Sequence, residues 1–243
     1  VRPDLIKKAV LAFQSNQRQP YGAKPEAGMR HNARLSKRRR EYRGSYGFGI
    51  SRTPRKILSR RGRRMFWVGA VAPNTVGGRR AHPPKAQTIV AHKINVKERR
   101  KAIRSCIAAT IQSKYTKERG HRVPEMYPFI VNDSFEKMSK TKDVLAALHE
   151  MGFETELERT AERTIRAGKG TMRGRKYKSK VGPLIVVTEQ SPIASSAKNI
   201  PGVDIITVKS LNANILAPGA VPGRLTIWTK AAIEQLQKDK LFM

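Results

Sequence analysis

The chain has 243 residues, of which 50 are lysine or arginine and 18 are aspartate or glutamate, so its formal net charge is +32. A free globular protein with this excess repels itself, and nucleic acid would relieve the repulsion while releasing its own counterions. No apolar run approaches the ~20 residues of a membrane-spanning helix, and the single cysteine, Cys106, excludes an internal disulfide framework and fits a reducing compartment such as the cytoplasm. The opening VRPDLIKKAV is charged and lacks the apolar core of a secretory signal.

Two amphipathic helices are predicted on either side of a long segment without a regular apolar period. The first runs from Pro3 to Asn16 and the second from Asn95 to Ser113, where Asn95 can cap and Glu98 follows three residues later. The apolar stripes consist of Leu5, Ile6, Ala9, Val10 and Phe13 in the first helix, and of Ala102, Ile103, Cys106, Ile107, Thr110 and Ile111 in the second.

Beyond the second helix, short apolar runs alternate with further helical patterns. The runs YPFIVND, GPLIVVTE, VDIITV and RLTIWT predict four buried strands. Because buried strands that alternate with helices form parallel sheets covered on both faces, we expect an α/β fold of three layers with a mostly parallel sheet. We expect the globular α/β domain to comprise residues 1–16 and 87–243, with residues 17–86 inserted in it as a long, extended basic loop.

Local signals predict where the later helices begin and end. Thr141 is expected to cap a helix that Gly152 closes in a left-handed turn, so that the next residue, a phenylalanine, folds back on Leu148. Ser191 followed by proline predicts the start of a short helix, and Thr229 is expected to cap the last one.

The inserted segment combines arginine, glycine, proline and aromatic residues with almost no acid. A solvated disordered loop would be poor in aromatic side chains, which argues against that interpretation. RNA satisfies both residue types, because phosphates bind guanidinium groups and unstacked bases offer flat faces to aromatic rings. The predicted RNA-binding residues in this segment are Arg30, Arg34, Lys37, Arg38, Arg39, Arg40, Arg43, Tyr46, Phe48, Arg52, Arg55, Lys56, Arg60, Arg61, Arg63, Arg64, Phe66, Trp67, Arg79, Arg80, His82 and Lys85.

The sequence offers weak support for an enzyme. GSYGFG and GKGTMRG lack the spacing of dinucleotide and triphosphate loops, and no histidine pairs with a second histidine or with cysteine at metal-ligand spacing. Asp133 and Glu136 flank a predicted strand end, yet no partner carboxylate is evident, and Cys106 lies on an apolar stripe. We therefore expect no catalytic residue, no metal and no cofactor. The alternative is an RNA-modifying enzyme with a catalytic α/β domain and a basic loop that delivers RNA.

A set of motifs along nearly the whole chain resembles one family. They are RPDLIKKAV, GRRAHPPK, NVKERRKAIRSCIAAT, SFEKMSKTKDVLAAL, RAGKGTMRGRKYK, GPLIVV, NIPGVDI and APGAVPGRLTIW. Together they resemble the large-ribosomal-subunit protein family usually called L-four, in its archaeal and eukaryotic form. The family's first β-strand would lie upstream of RPDLIKKAV, and the lack of a long extension after Met243 favours the archaeal type.

The resemblance implies a structural rRNA-binding protein of the large ribosomal subunit, located in the cytoplasm within the ribosome. Its loop would thread through rRNA to the wall of the nascent-peptide exit tunnel. The implied partners are rRNA, neighbouring ribosomal proteins and the nascent peptide, with neither a membrane nor a homo-oligomer. A second rRNA contact is expected at Arg166, Lys169, Arg173, Arg175, Lys176, Tyr177 and Lys178, and the tunnel-facing tip is expected at Arg63, Arg64, Met65, Val68, Gly69 and Ala70.

Overall fold

The computed structural model describes residues 1–41, 44–62, 64–189 and 191–242. The chain forms two compact units: an α/β unit made of Val1–Gln17 with Ala91–Met243, and an inserted unit, Arg18–Val90. In chain order, the elements are α1 (Pro3–Asn16), β1 (Arg55–Arg61), β2 (Arg64–Gly69), α2 (Val96–Ile111), α3 (Ser113–Glu118), β3 (Phe129–Val131), α4 (Thr141–Glu150), α5 (Glu154–Ala161), β4 (Arg163–Ile165), β5 (Tyr177–Ser179), β6 (Leu184–Val187), α6 (Ile193–Ser196), β7 (Asp204–Thr207), α7 (Ala213–Leu216), β8 (Thr226–Thr229) and α8 (Lys230–Lys238).

The centre of the α/β unit is a four-stranded sheet with the strand order β3-β8-β6-β7. All three strand pairs are parallel, and Leu184 of β6 pairs with Thr226 of β8 on one side and Asp204 of β7 on the other. β6 and β8 are buried along their whole length, as expected for central strands covered on both faces. The prediction of a parallel sheet built from the four apolar runs is confirmed.

The first hydrophobic layer covers one face of this sheet. Leu184 and Val186 of β6 point into a cluster that contains buried side chains of α1, α2, α7 and α8. Ile6 and Val10 of α1 and Cys106 of α2 are all fully buried there. Each such aliphatic side chain contributes ~1.5–3 kcal/mol when it leaves water, so the helix stripes read from the sequence are what hold this layer to the sheet.

The second layer covers the opposite face, because successive side chains of a strand alternate. Ile185 and Val187 of β6 pack there with Leu148 of α4, Ile193 of α6 and the fully buried Phe153. The core therefore has helices on both faces of the sheet, and the three-layer prediction is confirmed.

The predicted helix ends are partly right. Gly152 has a φ of +79°, and the backbone N–H of Phe153 donates to the carbonyl of Leu148 at 3.0 Å, so that turn is confirmed. Thr229 Oγ1 accepts from the backbone N–H of Ala232 at 3.3 Å, which confirms the last cap. The Thr141 cap is wrong, since Thr141 is already the first helical residue of α4.

Two further helix boundaries differ from the predictions. Asn95 occupies the cap position of α2, but its side chain accepts no hydrogen bond there. The predicted helix to Ser113 is interrupted at Gln112, whose ψ of 114° is extended, and α3 begins one residue later. The short α6 begins after Pro192, which takes the cap position that was expected for Ser191.

A side-chain hydrogen bond joins the two places where the insertion leaves and re-enters the α/β unit. Asn16 Oδ1 accepts from the backbone N–H of His92 at 3.2 Å. The α/β unit therefore closes on itself around the ends of α1 and of the segment that leads into α2.

The inserted unit contains an antiparallel hairpin that the sequence did not predict. Arg55 of β1 pairs with Gly69 of β2, and Arg61 pairs with Arg64, with an irregular register between Ile57 and Ser59. The alternation of apolar and polar residues that would predict a strand is absent, because charged residues occupy both faces of β1. Of the described residues in this unit, Gly44, Ser45 and Ala70 are buried.

No helix in the described part of the chain combines the length and apolar composition needed to cross a bilayer.

Candidate nucleic-acid interface

Most of the predicted RNA-binding side chains lie on the surface. Exposed residues are Arg30, Arg34, Lys37, Arg38, Arg39, Arg40, Tyr46, Phe48, Arg52, Arg60, Arg61, Arg64, Phe66, Val68, Arg79, Arg80, His82, Lys85, Lys169, Arg173, Arg175, Lys176, Tyr177 and Lys178; half-buried ones are Arg55, Lys56, Met65, Trp67, Gly69 and Arg166; Ala70 is buried. Arg43 and Arg63 lie outside the described residues.

The two aromatic residues of β2 point to opposite faces of the hairpin. Phe66 is 60% exposed, whereas Trp67 is half-buried and pairs with Ile57 across the hairpin. The guanidinium carbon of Arg55 lies 5.5 Å from the Trp67 ring centroid, close enough for a cation–π contact. Phe66 therefore offers an open ring face for stacking, and Trp67 is already covered by its own chain.

The predicted tip residues divide between the two ends of the hairpin. Arg64 and Met65 pair with Arg61 and Arg60 next to the turn at Gly62, whose φ is +56°. Val68, Gly69 and Ala70 lie at the open end, where Ala70 is 2% exposed and its N–H donates to the carbonyl of Pro54 at 2.8 Å. A strand rises ~3.3 Å per residue, so Ala70 lies ~20 Å from Arg64.

A second aromatic centre lies in the segment before the hairpin. The guanidinium carbons of Arg39 and Arg52 lie 5.9 and 5.4 Å from the ring centroid of Tyr46, and Arg52 donates to the Tyr46 hydroxyl at 3.2 Å. Phe48, two residues on, is 71% exposed. Arginines are thus oriented by an aromatic ring, with their remaining donors directed to solvent.

The base of the inserted unit is formed by two runs of chain in backbone contact. The N–H of Ala23 donates to the carbonyl of Pro84 at 2.9 Å. A side chain at Gly28, whose φ is +76°, would place its Cβ only 2.5 Å from the backbone nitrogen of Arg79. Glycine at this position lets the outgoing and returning runs touch.

The second predicted surface is a two-stranded ribbon. Thr164 of β4 pairs with Lys178 of β5, and every residue of both strands is exposed. Arg166 Nε donates to the carbonyl of Arg175 at 3.0 Å and Thr171 Oγ1 donates to the carbonyl of Arg166, so the connecting turn is ordered by its own hydrogen bonds. A ribbon exposed on both faces is marginally stable alone and gains most from a partner.

The acidic residues once considered as catalytic candidates tie strand ends together. Glu136 accepts from Thr229 Oγ1 at 2.6 Å and from Thr188 Oγ1 at 3.0 Å, so it joins the carboxyl ends of β8 and β6. Asp133 Oδ1 accepts from the N–H of Ala231 at 2.9 Å. Open α/β sheets bind ligands in a crevice outside these strand ends. Here the two carboxylates accept internal hydrogen bonds at these strand ends.

The cysteine is equally unsuited to chemistry. Cys106 is fully buried in the first hydrophobic layer, and burial raises the pKa of its thiol to about 12. The thiol stays protonated at neutral pH, and a protonated buried thiol is a poor nucleophile.

Comparison with known proteins identifies close relatives. The model of the "Ribosomal protein L4/L1 family" matches residues 1–239. The large ribosomal subunit protein uL4 of Nanoarchaeum equitans is 50% identical over 243 residues, covering 100% of this chain and 90% of the relative. The protein of the same name from Methanococcoides burtonii is 46% identical over 97% of this chain and 88% of its own length. That from Archaeoglobus fulgidus is 45% identical, with coverage of 97% and 88%.

Proposed function

Since the chain belongs to the ribosomal protein L4/L1 family, we propose that both of its units contact rRNA in a structural protein of the large ribosomal subunit. The protein is a structural component and not an enzyme, which removes the RNA-modifying alternative that the sequence had left open. Glu136 and Asp133 agree with this, because both carboxylates accept internal hydrogen bonds that tie strand ends to neighbouring segments.

The inserted unit penetrates rRNA, with the hairpin β1–β2 foremost. The observation that carries this proposal is the positive charge of the inserted unit and its exposed hairpin. Segment 18–90 contains only two acidic residues, Glu26 and Glu41, whereas arginines occur along its whole length. Glu41 accepts from Ser36 and Glu26 lies 3.8 Å from Arg30. Phosphates supply the negative charge that the segment lacks, and counterion release favours the contact.

Within the hairpin, the roles follow from which face each side chain occupies. Phe66 stacks on an unpaired base, because its ring is exposed and free of intramolecular aromatic or cation contacts among the described residues. Trp67 supports the hairpin from the other face together with Arg55.

The turn end of the hairpin points toward the peptide exit tunnel. Arg64 and Met65 adjoin the turn and are the described residues of the predicted tip that lie nearest the nascent peptide. Arg63, also predicted for the tip, lies outside the described residues. Val68, Gly69 and Ala70 stand roughly 10–20 Å behind them, so the exposed Val68 faces the rRNA passage instead of the tunnel wall. This refines the tip that the resemblance suggested.

The exposed ribbon β4–β5 makes the second rRNA contact. Tyr177 is exposed with Lys176 Nζ 5.5 Å from its ring centroid, which holds a cation and an aromatic face side by side. The cationic residues of this surface are Arg166, Lys169, Arg173, Arg175, Lys176 and Lys178.

Binding of large-subunit rRNA to Phe66→Ala tests the stacking role. One lost stack is worth ~1–3 kcal/mol, so affinity should fall roughly 5- to 150-fold in a filter-binding assay at fixed salt. Val76→Ala is the matched control, because Val76 is fully exposed in the same unit and should leave affinity unchanged. Equal effects of the two substitutions would contradict the proposal.

Photocrosslinking tests the tunnel contact separately. A photoreactive phenylalanine at Met65 of assembled ribosomes should crosslink to a nascent chain, whereas the same residue at Val68 should crosslink to rRNA. Nascent-chain crosslinks from Val68 but not from Met65 would reverse the assigned direction of the hairpin.

A further inference from the structure

A basic cleft in the α/β unit adjoins the exposed ribbon β4–β5 and extends beyond it. It has a volume of about 330 Å³ and lies between the end of α3, helix α5 and the ribbon strand β5. Its lining includes Arg119, His121, Arg159, Lys178 and Lys180. Four cationic side chains therefore converge on one small opening.

Two side chains that line the cleft, Arg159 and His121, are held by a buried carboxylate whose hydrogen-bonding capacity is fully used. Glu156 is 0% exposed and accepts from Arg159 Nη2 at 2.7 Å and Arg159 Nε at 2.8 Å. It also accepts from the N–H of Arg122 at 2.9 Å and lies 2.6 Å from His121 Nδ1. Glu156 thus fixes Arg159 and His121 in place and has no further oxygen to neutralise the other cations.

The remaining cations at the cleft are undercompensated. Lys180 pairs with Glu162, but Lys178 has no ion-pair partner in the described part of the chain. Arg119 donates to the carbonyl of Val221 at 2.6 Å, a neutral acceptor. Burial, followed by repulsion from Arg224 and Arg159, lowers the pKa of Arg119 to about 10. These cations repel one another, and an anion in the cleft would relieve that repulsion.

His121 provides a second, independent indication of an incomplete site. Its Nε2 atom is buried and has no hydrogen-bond partner, which is uncommon for a buried polar atom. The other ring nitrogen is held by Glu156, so the orientation of the imidazole is fixed. Its environment will change when the cleft above it is filled.

We propose that this cleft seats one phosphodiester group of the RNA backbone, with Arg119, Lys178 and Lys180 as its donors and Arg159 and His121 held in place by Glu156. Guanidinium and ammonium groups converging on one point match the three-dimensional charge of a phosphate. The ribbon continues the site, because Lys178 belongs both to the cleft and to the exposed β5 surface. The inference rests on the proposed rRNA-binding function and adds to it an anchor within the α/β unit.

The salt dependence of rRNA binding measures this contact directly. Each phosphate contact contributes ~0.9 to the slope of log affinity against log salt for a duplex, and somewhat less for a single strand. Lys178→Gln should lower the slope by about that amount, and it should fold normally because Lys178 is exposed. Lys117→Gln removes the same charge from the exposed face of α3, outside the cleft lining, and should leave the slope unchanged.

Resonances of the His121 ring provide a second readout in the full-length protein. Addition of an rRNA fragment should shift them, and Lys178→Gln should weaken that response several-fold while Lys117→Gln should not. A wild-type slope in Lys178→Gln, together with intact rRNA binding, would overturn the cleft and the ribbon contact of Lys178, but leave rRNA binding through the inserted unit standing. A His121 response to inorganic phosphate but not to rRNA would also overturn it, since the source of the phosphate would then be a free ion. Failure of the wild-type protein to bind rRNA would instead contradict the proposed function.

Discussion

Removal of the Glu156 carboxylate should destabilise the α/β unit strongly. Burial alone would raise the pKa of Glu156, but hydrogen bonds from Arg159, His121 and the Arg122 amide outweigh it and lower the pKa to about 2. The difference from an ordinary glutamate pKa near 4.5 corresponds to ~3 kcal/mol of folding free energy at 1.36 kcal/mol per pKa unit. Glu156→Gln should therefore lower the free energy of unfolding by ~3–5 kcal/mol, since Arg159 also loses its buried partner.

The same network determines how stability depends on pH. A carboxylate with a lowered folded pKa contributes fully above pH 4.5, and this contribution is lost as the pH falls toward about 2. Burial lowers the pKa of His121 and outweighs the raising effect of Glu156. The ring therefore takes up a proton more readily in the unfolded chain. Stability should therefore begin to fall below pH 6.5 through His121 and fall further below pH 4.5 through Glu156.

Urea unfolding followed by circular dichroism between pH 7 and pH 3 tests both statements. Glu158→Gln is the matched control, because Glu158 is exposed on the same helix and should change stability by less than ~0.5 kcal/mol. Below pH 4.5, Glu156→Gln should show a weaker pH dependence than the wild type. Equal losses in the two variants, or an unchanged acid slope in Glu156→Gln, would refute the assigned role of Glu156.

Three further changes have defined expectations. Replacement of residues 18–90 by a six-residue Gly/Ser linker should leave the α/β unit folded. It should also raise the free energy of unfolding by ~2 kcal/mol, because a loop about twelve-fold shorter loses less entropy on closure. A protein that no longer unfolds cooperatively in urea would contradict this expectation. Gly28→Ala should weaken rRNA binding about tenfold in the filter assay, since the left-handed φ and the approach to Arg79 both resist a side chain, and unchanged affinity would show that the two runs need not touch. Thr229→Val should lower the free energy of unfolding by ~1–3 kcal/mol, because the hydrogen bonds of the hydroxyl with the Ala232 amide and with Glu136 are lost. Thr229→Ser keeps the hydroxyl, so its loss of stability in thermal unfolding should be less than half as large.

The sequence predicted those parts of the fold whose pattern is carried by apolar side chains. The runs around Leu184, Asp204 and Thr226 are short and apolar, and each became a strand of one parallel sheet. The hairpin β1–β2 escaped prediction because its pairing is between residues such as Arg61 and Arg64, whose side chains give no apolar period. In that segment, backbone hydrogen bonds and cation–π contacts replace a hydrophobic face.

The composition of the inserted segment predicts a nucleic-acid interface, but it does not predict the geometry of that interface. Arginine and aromatic content identified the inserted segment, yet only the strand register distinguishes the exposed Phe66 from the covered Trp67. The cleft around Arg119 and Lys178 had no local signal, because its residues come from three elements far apart in sequence. Such a site becomes visible only after tertiary folding brings them together.

The hydrogen bond between Asn16 and His92 has a consequence for the order of events during synthesis. Helix α1 leaves the translating ribosome before the inserted unit, but it packs against α2 and α7, whose residues follow only after the whole inserted unit has been made. Until then, α1 and the highly cationic inserted unit emerge without their structural partners. Closing the long loop between Asn16 and His92 costs several kcal/mol of chain entropy, about (3/2)RT times the logarithm of the loop length. We therefore expect the basic segment to be accessible to proteases and to polyanions during this interval.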